Sequence, residues 1–310
     1  MHVPRSNMRA LLPQLSASLS SFQSSSSALR VVKSISASSS SSVGNESDHQ
    51  SPKTLIILDS SFNPPSKAHL ALARSALDES FTKSLTSPIR FMLLFSTHNA
   101  DKAPSAASFP QRLALMTLFA MDLLQDLQTK TSSSTTTSTT IPTIDIALTN
   151  APYYTDKSAA ITKEGENVNG AQATHVHLMG FDTITRFFAA KYYPEYHPPL
   201  SALSPFFEAG HRLRVTLRPS DEFGTVEEQR AFIARLADGE MEVDGGKREW
   251  AKQIDITEAP EGAGVSSTKV RKAAKAGDWD EVNQLCTDSV AEAVREEAVY
   301  AEDARGSKMA

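Results

Sequence analysis

The run Thr54-Leu-Ile-Ile-Leu-Asp59 constrains the fold more than any other part of the chain. It is continuously apolar and rich in isoleucine and leucine, which suits a strand buried on both faces, as in a parallel sheet. Ser60-Ser-Phe-Asn-Pro-Pro65 follows it. Two consecutive prolines cannot continue a strand, so this segment predicts a turn. Ser66 is then a good N-cap for a helix through Lys67-Ala-His-Leu-Ala-Leu-Ala-Arg-Ser-Ala-Leu77. The free N–H groups and the dipole of such a helix start favour an anion. His69 stands in the first turn, where it can face that anion.

A second stretch, roughly two hundred residues later, has the same character. Val265-Ser-Ser-Thr-Lys-Val-Arg271 opens a short basic helix that Gly277 ends. Ser266, Ser267 and Thr268 offer hydroxyls and N–H groups at its start, and Lys269, Arg271, Lys272 and Lys275 add positive charge. Taken singly, the first stretch also reads as an ordinary capped strand–turn–helix and the second as a capped surface helix. Taken together, they suggest a site for a nucleoside triphosphate.

The rest of the chain alternates. After the first pair come a strand, a helix from Phe109 to Gln128, a loop, a strand from Thr143 to Leu148 and a further helix. Then come a strand from His175 to Met179, a helix from Thr183 to Lys191 and a Pro-rich loop from Pro194 to Pro205. A strand from Arg212 to Leu217, a helix from Val226 to Ala237 and a strand from Lys252 to Ile256 follow, with charged helices from Asp278 to Ala301. This order predicts an α/β fold, a Rossmann-like parallel sheet with helices on both faces. Ligands should then lie beyond the carboxyl ends of the strands. The motifs fall there: Ser60 onward after the first strand, His98 to Lys102 after the second, and Gly180 and Asp182 after the fourth.

Ser61-Phe-Asn-Pro-Pro-x-x-x-His69 with Val-Ser-Ser-Thr-x-x-Arg271 resembles the HxGH-type nucleotidyltransferases, and among them the nicotinamide mononucleotide (NMN) adenylyltransferases, in a divergent fungal form. Asn99-Ala-Asp-Lys102 with Gln111-Arg-Leu-Ala-Leu-Met116 resembles the family's lysine and its arginine–methionine helix. His177-Leu-Met-Gly-Phe-Asp182 resembles its Gly-x-Asp. The resemblance covers roughly residues 54 to 287 and implies a nucleotidyltransferase-type sheet. It also implies transfer of the adenylyl group of ATP to NMN or nicotinate mononucleotide, with Mg²⁺ accompanying ATP. His69, Lys102 and Arg271 would be catalytic. Ser61, Phe62, Ser66, His69, Gly180, Asp182, Ser266, Ser267, Thr268 and Arg271 would hold ATP. Asn63, Lys102, Tyr153, Tyr154 and Tyr193 would hold NMN. The chain departs from the family at Ser60, where a glycine is usual, and at Ser66, where threonine or histidine is usual. It has tyrosines near the positions of the tryptophans that stack on nicotinamide, and tyrosine can stack as well.

Composition bounds the alternatives. The 310 residues are 40% hydrophobic with a net charge of −5, which gives no sign of a nucleic-acid binder. The single cysteine, Cys286, leaves no internal disulfide and no zinc cluster. No apolar run approaches the ~20 residues that span a bilayer. His175 and His177 alternate on a strand, but no third metal ligand is evident, so no protein-held metal is expected. No Walker loop or Gly-x-Ser-x-Gly elbow is present.

Residues 1–36 have basic residues and no acid before Glu46. They read either as a targeting segment or, by the helical spacing from Met8 to Phe22 and Ala28 to Ile35, as one or two docked helices. Residues 37–53 read as a Ser-rich linker, 54–301 as the nucleotidyltransferase domain with a disordered Ser/Thr loop at 129–142, and 302–310 as a tail. A cytoplasmic or nuclear location is expected, with a mitochondrial one if the first segment is a leader. Two further readings stay open: an ATP-binding or ATP-hydrolysing regulator of the same fold that acts through a protein partner in quality control or stress response, and a transferase with another phosphate acceptor. The homo-oligomeric state is open too.

Overall fold

A computed structural model describes residues 7–37, 51–97, 107–133, 141–164, 172–218, 223–258 and 265–301. Seven strands form one sheet: β1 (Leu29–Ile35), β2 (Thr54–Asp59), β3 (Ile89–Ser96), β4 (Ile144–Thr149), β5 (Thr174–Gly180), β6 (Arg212–Leu217) and β7 (Ile254–Glu258). Their order is β1-β4-β3-β2-β5-β6-β7, with every pairing parallel except β1 with β4. The chain therefore runs outward from β2 in one direction, then returns to continue beyond β2 in the other. The switch point between β2 and β5 opens a crevice at their carboxyl ends, where ligands of such sheets bind.

The helices are α1 (Met8–Gln23), α2 (Lys67–Leu77), α3 (Glu79–Thr82), α4 (Phe109–Ser133), α5 (Tyr154–Glu164) and α6 (Phe181–Phe187). They continue with α7 (Ser204–Glu208), α8 (Val226–Asp238), α9 (Ser267–Ala276), α10 (Trp279–Leu285) and α11 (Asp288–Glu296). Strand alternation divides the core. Ile56 and Leu58 of β2 join Phe91, Leu93 and Phe95 of β3 and the side chains of α1, α4, α9 and α11 on one face. Leu55 and Ile57 join Met92, Leu94 and Ile161 on the other, and the β6 side of that layer is filled by Phe187, Phe206, Leu213 and Val215.

The expectation of a helix from Ala28 to Ile35 is overturned: Leu29–Ile35 is an edge strand antiparallel to β4. Val31, Val32 and Ile35 are β-branched, and the exposed edge of β4 offers a ladder that an isolated helix could not use. Glu164, at the end of α5, accepts from the N–H groups of Ala28 (2.8 Å) and Leu29 (3.2 Å) and fixes where the strand begins. The first expected helix does form as α1, packed through Leu11, Leu15, Leu19 and Phe22.

Other boundaries moved. The helix expected to stop at Gln128 continues to Ser133, into the Ser/Thr tract, whose residues 134–140 lie outside the described set. The helix expected through Lys191 ends at Phe187 and is followed by a 3₁₀ turn at Ala190–Tyr192. The Pro-rich segment is not all loop, since Pro199–Leu203 is 3₁₀ and α7 follows it. The last strand begins at Ile254 rather than Lys252 because a 3₁₀ turn occupies Arg248–Gln253 and packs Trp250 on Phe207 at 4.7 Å.

Candidate active site

The turn after β2 is held rigidly. Phe62 adopts a positive φ of 42°, uncommon for a bulky residue, and its ring is fully buried against His69 at 5.2 Å. Ser66 is the N-cap of α2, as the sequence predicts. Its backbone N–H donates to His69 Nδ1 at 3.0 Å. That bond occupies the Nδ1 lone pair, so the proton of the neutral ring belongs on Nε2. Nε2 lies 2.9 Å from Ser60 Oγ and serves as the donor there. His69 is therefore oriented with an N–H toward Ser60, at the mouth of α2.

The two stretches far apart in sequence meet here. Pro64 and Pro65 sit in a turn whose carbonyls have no ladder partner, and α9 and its neighbours take them up. Ser267 Oγ donates to Pro64 O at 2.8 Å, and Arg271 donates to Asn63 O at 2.8 Å. Arg271 also reaches Thr268 Oγ1 at 3.1 Å. Cys286 Sγ approaches Pro65 O at 3.5 Å, and Tyr300 donates to Asn63 Oδ1 at 2.8 Å. Ser266 caps α9 by accepting from Lys269 N, and Gly277 ends it at a left-handed φ of 72°.

A cleft of ≈ 600 Å³ lies over the switch point. Asp59 and Ser60 from β2, Ser66 and His69 from α2, Gly180 and Asp182 from β5 and α6, Tyr154 from α5, and Ser266 and Ser267 from α9 line it. Thr216, Arg218 and Glu258, at the ends of β6 and β7, close its far side. A Cβ at Gly180 would stand 2.7 Å from Asp182 Oδ1, so any side chain there would turn that carboxylate aside. Of the acids in the lining, Asp59 pairs with Lys157 and Glu258 with Arg230 at 2.7 Å. No ion pair engages Asp182 among the described residues.

Some expected site residues stand elsewhere. Ser61, Phe62, Asn63, Thr268 and Arg271 are not among the residues that line the cleft. Tyr193 is buried, with its hydroxyl donating to Phe187 O at 2.8 Å, and it is not in the cleft lining; its outer neighbour is Tyr153, ring to ring at 6.4 Å. Lys102, with His98, lies outside the described residues. The sequence reading missed the Asp59–Lys157 pair. Asp59 was visible only as the end of a strand, and its partner lies 98 residues away on α5. It also passed over Thr216, Arg218 and Glu258, for which strand ends were the available signal.

His175 and His177 gain a third histidine. The rings of His175 and His211 stack at 4.0 Å, and His177 Nε2 meets Ser158 Oγ at 2.7 Å. No group of three or more potential ligands could hold a metal among the described residues. The three rings serve as core. Burial, with smaller contributions from His175, His211 and Lys157, holds His177 well below the usual histidine range, and burial lowers His211 to about 4. The unfolded chain binds protons below about pH 6.5 that these folded rings refuse, so stability falls as pH drops through that value. Between pH 7 and 5 the loss from His211 alone is expected to be about 2 kcal/mol, read from urea midpoints at the two pH values. An unchanged midpoint would show that the rings protonate freely in the folded state.

No protein-family model matches the chain. It is 27% identical over 247 residues to a Schizosaccharomyces pombe protein described as "Putative nicotinamide mononucleotide adenylyltransferase", a match covering 79% of this chain and 85% of that one. Among solved structures it is similar to Plasmodium falciparum nicotinic acid mononucleotide adenylyltransferase complexed with NaAD, at 14% identity and a TM-score of 0.46, over 81% of this chain and 98% of that one. The same Plasmodium enzyme complexed with APC gives 13% identity and a TM-score of 0.45, over 81% and 98%. No helix among the described residues is long and apolar enough to cross a membrane.

Proposed function

We propose, from the premise that this chain is a divergent relative of the nicotinamide mononucleotide adenylyltransferases, that it transfers the adenylyl group of ATP to NMN or nicotinate mononucleotide. The observation that carries the proposal is the junction of α2 and α9. Ser267 and Arg271 bond to the carbonyls of Pro64 and Asn63 beside a histidine whose Nε2–H meets Ser60 in the lining of the cleft at the sheet's switch point.

In this reading a phosphate oxygen of the mononucleotide attacks the α-phosphorus of ATP in line. A new P–O bond forms, the bond to the β-phosphate breaks, and pyrophosphate leaves. No protein atom is covalently involved. Holding both substrates in line can supply ~7–11 kcal/mol. His69 Nε2–H would stabilise charge on the α-phosphate, with Ser66 beside it. The start of α9, with Ser267, Thr268 and Arg271, would hold the leaving pyrophosphate, and Lys102 the acceptor phosphate. Asp182, which no ion pair engages among the described residues, suits the ribose hydroxyls. Tyr154 lines the cleft and Tyr153 lies at the surface beside Tyr193; these rings are the candidates to stack on the acceptor base. Asp59 is already paired with Lys157, and among the described residues no group of three or more potential ligands could hold a metal. Mg²⁺ would arrive as the counterion of ATP.

Incubation with ATP, NMN and Mg²⁺, with alcohol dehydrogenase reporting NAD, tests the reaction. NAD and pyrophosphate are expected. ADP and phosphate without NAD would overturn the transferase reading in favour of a nucleotide-dependent regulator. Nicotinate mononucleotide in place of NMN sets the acceptor preference. In the same assay Gly180→Ala is expected to raise the KM for ATP about ten- to a hundredfold, because its Cβ displaces the carboxylate that binds ribose and a hydrogen bond to a charged group is lost. The KM for NMN should change little; equal changes in both would remove Asp182 from the ribose.

A further inference from the structure

The turn Ser27-Ala28-Leu29, where the chain passes from α1 into β1, grips two separate places. On one side it meets the carboxyl end of β4. Thr149 Oγ1 donates to Ala28 O at 2.8 Å, and the Asn150 N–H donates to the same carbonyl at 3.3 Å. On the other side it meets the carboxyl end of α5. The Glu164 carboxylate accepts from the Ala28 N–H at 2.8 Å, from the Leu29 N–H at 3.2 Å and from Ser27 Oγ.

The segment between the two grips is one wall of the cleft. Residues 151–153 lead into α5, which opens with Tyr154 in the lining and carries Lys157, the partner of Asp59 in the same lining. The Ala151 N–H also bonds to Thr149 Oγ1, at 3.1 Å. Among the buried side chains of α5 only Ala160 and Ile161 are apolar, so little hydrophobic burial fixes it on the sheet. Segments held so lightly open locally unless their ends are tied. The clasp itself is well anchored. β1 pairs with β4, Ser34 Oγ donates to Asp145 Oδ1 at 2.6 Å near its other end, and α1 buries Leu11, Leu15, Leu19 and Phe22 in the main core.

We propose that Glu164 is a positioning residue of the acceptor half of the cleft: with Thr149 it clasps the Ser27–Leu29 turn and so holds the Tyr153–Tyr154 wall where a mononucleotide with a flat base is received. The inference deepens the adenylyltransferase reading and rests on it for the identity of that ligand. Glu164 acts through the wall and not by touching substrate. With the clasp open, the wall is in place for only part of the time, and the apparent affinity for the acceptor falls by that fraction.

Hydrogen exchange of Glu164→Ala and Thr149→Val, with steady-state kinetics for NMN and ATP on the same proteins, tests it. In Glu164→Ala, protection across residues 151–164 is expected to fall about tenfold or more, while β2, β3 and β5 keep theirs. The KM for NMN should rise about tenfold, with kcat and the KM for ATP within about twofold of the parent. Glu164→Gln, which keeps one acceptor oxygen, should fall between the two. Thr149→Val removes only the hydroxyl of a fully buried side chain and should move both readouts the same way. Parental protection over 151–164, equal rises in both KM values, or protection lost equally across the whole sheet would assign the turn to general stability and overturn the proposal. If Glu164→Ala does not fold, Thr149→Val decides by the same outcomes. If the parent protein makes no NAD, the transferase reading fails, while the exchange result still decides whether the clasp holds this wall.

Discussion

Replacing His69 by alanine is expected to slow NAD formation by about 10²–10³-fold, the usual cost of removing one positioned donor from developing charge. The ring is set before substrate arrives. Ser66 N–H holds Nδ1, which leaves Nε2–H directed at Ser60 in the cleft lining, a neutral acceptor that a phosphate oxygen can replace. The fold should survive, because the Ser66 cap remains and only one local acceptor for its N–H is lost, at about 0.5–2 kcal/mol. The loss should appear in kcat, with the Kd for ATP changed far less, since the interaction belongs to the transition state. His69→Gln, which keeps an N–H donor, should fall between the two. Parent-like turnover in His69→Ala would remove the histidine from the chemistry.

Replacing Lys157 by methionine is expected to cost about 3–5 kcal/mol of stability, read by urea denaturation. Lys157 and Asp59 are a buried pair, with side-chain exposures of 6% and 9%. Methionine keeps the volume but leaves the Asp59 carboxylate uncompensated in the wall of the cleft. The double variant Asp59→Asn with Lys157→Met should regain most of the loss, because neither charge then remains to be desolvated. A single-variant loss below about 1 kcal/mol, the range of exposed pairs, would mean that water reaches the pair and that it does not stiffen the crevice.

Much of the central sheet was legible beforehand because its signals are local. Thr54 to Asp59 is apolar at every inner position, the double proline forbids continuation, and Ser66 and Ser266 cap the helices that follow. What failed was the edge. From Ala28 to Ile35 the apolar residues satisfy a helical spacing, yet the segment forms β1 because β4 presents an unpaired ladder. Neighbouring backbone, not local preference, decided that segment. Tyr193 shows the same limit at the site. A tyrosine in the expected place could be counted on for an aromatic ring, but the packing of α6 on the second core turns its hydroxyl to Phe187 O.

The sequence by itself determined the alternation of strands and helices, the places where helices begin, and the residue types able to meet phosphate, because each depends on a few neighbouring residues. Only the tertiary structure decided which of these meet. It brought Arg271 to Asn63 across 208 positions and paired Asp59 with Lys157. Such contacts depend on strand order at the switch point and on which charges burial leaves without water, and neither is encoded in local spacing.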